Sequence, residues 1–165
     1  MTRRIISILI ENEAGSLSRV VGLFSQRGYN IDSLTVAATD DPTLSRMTIT
    51  TFGDERMIEQ MTKQLHKLVD VLKVSELTDH AYIEREIALI KVKTQGAMRE
   101  EVKRLSEIFR GQIVDVTAKE YVLQVTGDGE KLDACIRILA EMTDVLEVVR
   151  SGTCGISRGD KMLYV

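Results

Sequence analysis

The sequence predicts an α+β protein made of two tandem βαββαβ units, and three observations lead there. Apolar residues alternate with period two in some segments and recur at i, i+3, i+4 in others, which separates strands from helices. The order of those segments in residues 1–78 is used again in residues 82–165. With Pro42 the only proline among 165 residues, turns fall to glycine, asparagine, aspartate and serine, so the 11 glycines punctuate the chain. A unit of this order closes as a four-stranded antiparallel sheet with both helices on one face, the ferredoxin-like arrangement.

Each element follows from its residues. A β-branched run from Arg3 to Glu11 reads as a strand, and Ser16 stands before Leu17, Val20, Val21 and Phe24, which share one helix face. Gly28 sits where a left-handed stop is wanted, so the helix is expected to end near Arg27. The next strand spans Ile31 to Thr39, the turn is Asp40-Asp41-Pro42-Thr43, and Leu44 to Phe52 returns with Met47, Ile49 and Thr51 in alternation. Gly53-Asp54 opens a helix marked by Met57, Ile58, Met61, Leu65 and Leu68, and Val69 to Leu77 closes the unit. After the polar boundary Thr78-Asp79-His80-Ala81, with residues 79–81 as linker, the order repeats. Tyr82 to Lys93 is a strand, Met98 to Phe109 a helix stopped by Gly111, Gln112 to Ala118 and Tyr121 to Thr126 a strand pair. Glu130 to Glu141 is a helix, Val145 to Ser151 a strand, and Gly152 to Val165 a tail that stays with the second domain.

Composition narrows the function. With 44% hydrophobic and 28% charged residues the chain is an ordinary globular protein. Its net charge of −3 is spread evenly, with 9 basic and 11 acidic side chains up to residue 80, which argues against a polyanion partner. The start Met1-Thr2-Arg3-Arg4-Ile5-Ile6 begins like an export signal. Glu11-Asn12-Glu13 ends its apolar run well short of the ~18 residues of a membrane span. A cytoplasmic protein with no membrane association is expected, with Cys135 and Cys154 as free thiols.

No catalytic constellation emerges. His66 and His80 are the only groups that titrate near neutrality; the first lies on a helix surface and the second in the linker. No Cys-x-x-Cys or His-x-x-x-His spacing offers a metal site, and Cys135, spaced with Leu132, Ile136 and Leu139, belongs to a helix's core face. RNA recognition on this fold needs aromatic rings on the central strands, where Thr48, Ile49, Thr50 and Thr51 stand instead. An acylphosphatase would need an arginine where Glu11-Asn12-Glu13 stands.

The segment with ligand-binding character is Asn12-Glu13-Ala14-Gly15-Ser16-Leu17. Its glycine lets a ligand approach the backbone, and the helix start offers unpaired N–H groups and the positive end of the dipole to a small carboxylate. Asn12 and Asn30 are candidates for further hydrogen bonds to an amino acid's charged ends, and Ile10, Leu17, Ile31 and Val36 for an apolar slot around a branched side chain. The same spacing also suits a plain helix start, with Ser16 as N-cap and Gly15 as a turn residue.

The residues Glu11-Asn12-Glu13-Ala14-Gly15-Ser16-Leu17-Ser18-Arg19-Val20 and Phe24-Ser25-Gln26-Arg27-Gly28-Tyr29-Asn30-Ile31-Asp32-Ser33-Leu34-Thr35-Val36 resemble the ACT domain of the acetolactate synthase small-subunit family. The likeness continues through Leu44 to Ile49, Lys63 to Val71 and Glu84 to Val92, resumes at Phe109-Arg110-Gly111, and is nearest the enterobacterial valine-sensitive type. It departs at Arg150-Ser151-Gly152 and at Met142 to Val145. The resemblance implies a non-catalytic regulatory subunit that activates a catalytic large subunit and confers feedback inhibition by valine. It also implies a homodimer joined through the ACT-domain sheets, with the effector between one subunit's Asn12 to Leu17 loop and the other's Asn30 region. Asn12, Gly15 and Asn30 match the family's effector positions. Thiamine diphosphate, magnesium and FAD would belong to the catalytic partner, leaving this chain without a cofactor. From the residues alone, a free-standing amino-acid sensor acting on a different partner remains the alternative.

Overall fold

The structure, a computed structural model, describes residues 2–163. The chain forms two compact units: one extends to Ile83 and takes back the segment from Thr153 onward, and the other runs from Glu84 to Gly152.

The first unit holds β1 (Thr2–Glu11), α1 (Ser16–Gln26), β2 (Ser33–Ala38), β3 (Leu44–Gly53), α2 (Glu55–Leu65) and β4 (Val71–Glu76), in the expected order. Its sheet has the order β2-β3-β1-β4 with antiparallel neighbours, so β2 and β4 are the edges. Ile6, Ile8, Ile10, Met47 and Ile49 meet Val20 and Phe24 of α1 and Ile58, Met61 and Leu65 of α2 in one core. The helix ends have local causes. Asp54 accepts the Met57 N–H at 2.8 Å, a side-chain cap of the kind that contributes about 1 kcal/mol. Gly28, at φ +69°, lets the Tyr29 N–H reach back to the Phe24 carbonyl at 2.9 Å, and the two rings meet edge-on. Helix α2 stops at Leu65, short of the expected Leu68, because Lys67 and Leu68 bond only three residues back in a turn that leads into β4.

The second unit holds β5 (Tyr82–Lys93) from Glu84 onward, α3 (Met98–Ile108), β6 (Gln112–Val116), β7 (Glu120–Gly127), α4 (Gly129–Met142) and β8 (Val145–Arg150), with sheet order β6-β7-β5-β8. Ala88, Ile90, Val92, Leu123 and Val125 face Val102, Leu105, Leu132, Cys135 and Leu139. The stop after α3 differs from the expectation in one respect. Arg110, not Gly111, takes the left-handed turn at φ +55°. Gly111 is needed for clearance, since a Cβ there would lie 2.9 Å from the Gln124 carbonyl oxygen of β7.

The tail was expected to remain with the second domain, and the described part of it groups with the first unit. Every β1 side chain from Ile5 to Ile10 is buried, although the helices cover only one face of the sheet. The segment after Gly152 lies on the other face and includes β9 (Cys154–Ser157). Thr35 Oγ1 donates to the Thr153 carbonyl at 3.0 Å, the Thr153 N–H donates to Ser33 Oγ at 3.3 Å, and Arg46 Nη2 donates to the Gly155 carbonyl at 3.0 Å. Further on, the Arg158 N–H donates to the Ala81 carbonyl at 2.9 Å. Gly155 passes so near that a Cβ would sit 2.8 Å from Leu77 Cδ1 and 3.9 Å from Ile5 Cγ2.

Candidate functional site

The turn between β1 and α1 is shaped by Gly15, whose φ of +89° lies where a side chain is strained. Gly15 is the N-cap of α1 and no side chain caps this helix, whereas Asp54 caps α2 and Asp128 caps α4. Ser16 is therefore the first helical residue and not a cap. Its first-turn neighbours are free of acidic side chains, and the N–H groups of Leu17 and Ser18 have no partner among the described residues. An uncapped helix start in a glycine turn is an anion site by geometry and by dipole.

A positive side chain strengthens it. Arg19 folds back toward the turn, so that a Cβ on Gly15 would lie 2.9 Å from Arg19 Nη1. The Arg19 Nε donates to the buried Asp70 carboxylate just before β4, and this contact fixes the guanidinium. The Arg19 hydrogen bond holds the Asp70 carboxyl below its ordinary value, and Asp70 in turn raises Arg19. The Ser16 hydroxyl is buried without a partner of hydrogen-bonding geometry, close enough to Asp70 to help keep that carboxylate ionised. Arg19 and Asp70 were absent from the sequence-derived site. Arg19 lies one helical turn beyond Gly15, which was legible, but 51 residues separate it from Asp70 and only folding pairs them.

Asn12 is anchored on the opposite side of the turn. Its backbone N–H donates to the Thr43 carbonyl at 2.8 Å and its Nδ2 to the Pro42 carbonyl at 2.9 Å. The Pro42 turn is itself held by Asp41, which accepts from the Thr43 backbone at 2.9 Å and from its hydroxyl at 2.7 Å; these bonds keep Asp41 below its ordinary value. Asn12 Oδ1 keeps its capacity to accept, which suits an ammonium group.

The remaining sequence-derived residues fall into three places. Ile10 is 2% exposed and belongs to the core beneath the helices. Leu17, 41% exposed, and Val36, 39% exposed, present apolar surface, Val36 on the edge strand β2. Asn30 is exposed just before β2, where its carbonyl accepts from Thr51 Oγ1 at 2.6 Å, and Ile31 packs half-buried against the core.

Asn12 and Asn30 are not brought together within one chain. Glu11 is registered with Leu44 at one end of β3, and Asn30 is bonded to Thr51 near its other end. Seven residues of antiparallel strand at ~3.4 Å each separate these ends by roughly 24 Å. Among the described residues no cluster of three or more histidine, cysteine, aspartate or glutamate side chains could hold a metal ion, and no helix is long and apolar enough to cross a membrane.

Comparison with known proteins places most of the chain in one family. Residues 6–73 match the family model described as the AHAS small subunit-like ACT domain, and residues 85–159 match the model described as the small subunit of acetolactate synthase. The chain is 63% identical over 161 residues to the acetolactate synthase isozyme 3 small subunit of Salmonella typhimurium, covering 98% of this chain and 99% of the relative. It is 62% identical over 161 residues to the Escherichia coli isozyme 3 small subunit, with the same coverage. The crystal structure of the small subunit of acetolactate synthase from Thermotoga maritima superimposes with a TM-score of 0.88 at 38% identity, covering 98% of this chain and all of that one.

Proposed function

Because the chain belongs to the acetolactate synthase small-subunit family, we propose that it is the regulatory subunit of a cytoplasmic acetolactate synthase, a non-catalytic partner that activates a catalytic large subunit and confers feedback inhibition by valine. The thiamine diphosphate, magnesium and FAD chemistry that the resemblance implies belongs to the large subunit.

The observation that supports this best is the split site: an uncapped, arginine-braced helix start at one end of the sheet and Asn30 at the other. Strand β2 is an unpaired edge running from the Asn30 end, where Ser33 faces Thr50, to the Asn12 end, where Ala38 faces Ser45. Antiparallel pairing of β2 with β2 of a second copy sets each Asn30 end beside the other copy's Asn12 to Leu17 loop. In such a dimer the valine carboxylate takes the Leu17 and Ser18 N–H groups under the Arg19 guanidinium. Its ammonium meets Asn12 Oδ1 and the partner copy's Asn30, and Leu17, Val36 and Ile31 contribute the apolar wall. Valine then orders the dimer interface and shifts the synthase toward a less active state, by no more than its difference in affinity for the two states.

The test is reconstitution. Mixed with a catalytic large subunit, the chain is expected to co-purify with it, raise acetolactate formation and make that activity fall with valine. Saturable valine binding without capture or activation of the large subunit would favour a free-standing sensor. Activation that valine leaves untouched would remove the effector assignment.

A further inference from the structure

The face of the first sheet turned away from the helices holds a second feature that the effector site does not use. Between the strands and the returning tail lies a cavity of about 500 Å³ lined by Leu9, Thr35, Val36, Arg46, Thr48 and Ile156. That size falls within the range of small-molecule sites. Of the effector residues only Val36 reaches it.

Arg46 is the unusual member. It stands half-buried on β3, and its only hydrogen-bond acceptors among the described residues are neutral: Ser7 Oγ at 3.1 Å and the Gly155 carbonyl at 3.0 Å, both taken by Nη2. The other guanidinium nitrogens find no acceptor among the described residues. Among the described residues of the first unit, Arg4 pairs with Glu76 and Arg19 with Asp70. Asp40 lies at the cavity mouth on the exposed β2–β3 turn and makes no salt bridge to Arg46. Burial, the larger effect, pulls Arg46 below its ordinary value, and the neighbouring Cys154, which also lines the cavity, opposes it. A buried charge is ordinarily paired, and an arginine with a free planar edge matches a carboxylate with two parallel hydrogen bonds.

We propose that this cavity binds a small monocarboxylic acid with a short branched hydrocarbon body, its carboxylate on Arg46 and its methyl groups against Leu9 and Ile156. The Thr48 hydroxyl stands on the same wall as a further donor. Among the lining residues the one carboxylate is that of Asp40, on the exposed β2–β3 turn. The ligand would lie between the sheet and the tail segment that Arg46 holds through Gly155, so that occupancy tightens the tail on the first unit.

The experiment uses the full chain and two isosteric probes, isovalerate and its neutral amide. Isovalerate is expected to bind saturably in a calorimetric titration and the amide at least tenfold more weakly. In a methyl-labelled sample of the unaltered protein, isovalerate should shift the signals of Leu9 and Ile156 and leave Leu17 in place. Arg46→Met, which keeps the apolar stem, should lose isovalerate binding by tenfold or more, and Gly15→Asp should retain it. Equal binding of acid and amide, shifts confined to Leu17, or full binding by Arg46→Met would each overturn the proposal. Should Arg46→Met not fold, the probe comparison and the methyl shifts on the unaltered chain decide the matter alone. Loss of valine inhibition with isovalerate binding intact would bear on the effector site only.

Discussion

Replacing Gly15 separates two consequences of one backbone position. At φ +89° an alanine is strained, at a cost of about 1–2 kcal/mol. For a unit of this size that corresponds to a melting temperature lower by roughly 4–16 °C. The new Cβ also lies 2.9 Å from Arg19 Nη1, the far end of a flexible side chain, which can yield. Aspartate tolerates the left-handed region better than alanine, so its backbone cost is no greater. It differs in placing a carboxylate at the uncapped helix start beside the Arg19 guanidinium, where the valine carboxylate belongs in the proposed site. Losing the dipole interaction and a charge-assisted hydrogen bond amounts to about 2–4 kcal/mol, or roughly 30- to several-hundred-fold in affinity. The assay is valine titration of the reconstituted synthase, with thermal melting of each isolated variant. Gly15→Asp should still activate the large subunit and need far more valine for inhibition, while Gly15→Ala, at least as strained, shifts the valine response less than about tenfold. If the two variants are desensitised equally, backbone strain and not charge explains the effect; if Gly15→Asp is inhibited at unchanged valine, the carboxylate does not bind there.

Asp70 is held below its ordinary value of 3.8, so its contribution to stability is fully present above about pH 4 and is lost as pH falls through the lower folded value. Melting followed from pH 6 to pH 2 should therefore fall less steeply for Asp70→Asn than for the parent, with Asp41 supplying a remaining slope of the same sign. Removing the chain from Thr153 onward should uncover Ile5 and Leu9, each worth about 1.5–3 kcal/mol when fully buried. A lower melting temperature and binding of a hydrophobic dye are the expected signs. Burial pushes the Cys135 thiol up to about 11, so at pH 8 only about one in a thousand is ionised, while Cys154 is exposed. Titration with a thiol reagent should show one fast cysteine in the native protein and a second only on unfolding.

Much of the fold was legible in the residues because its signals are local. Phe24 and Gly28 mark the end of α1 within one turn, Asp54 announces α2, and the alternation through Ala88, Ile90 and Val92 fixes which face of β5 is buried. The glycine turn and Asn12 were legible for the same reason, and family resemblance added what the effector should be. Where the signal was ambiguous, distant groups decided. Gly111 resembled a helix stop, yet the Gln124 carbonyl across the sheet is what demands it.

The residues by themselves determined two βαββαβ units, the helix start that suits an anion, and the family to which the chain belongs. Periodicity and turn chemistry involve neighbours a few positions apart, so they are written in order along the chain. Only the tertiary structure decided that Arg19 is braced by Asp70, that Asn12 and Asn30 stand at opposite ends of one sheet, and that the tail crosses back over Ile5 and Leu9 to meet Arg46. The tail's contacts with the first sheet join residues as many as 150 positions apart, and no local pattern encodes a partner that burial and charge pairing select only once the sheet has formed.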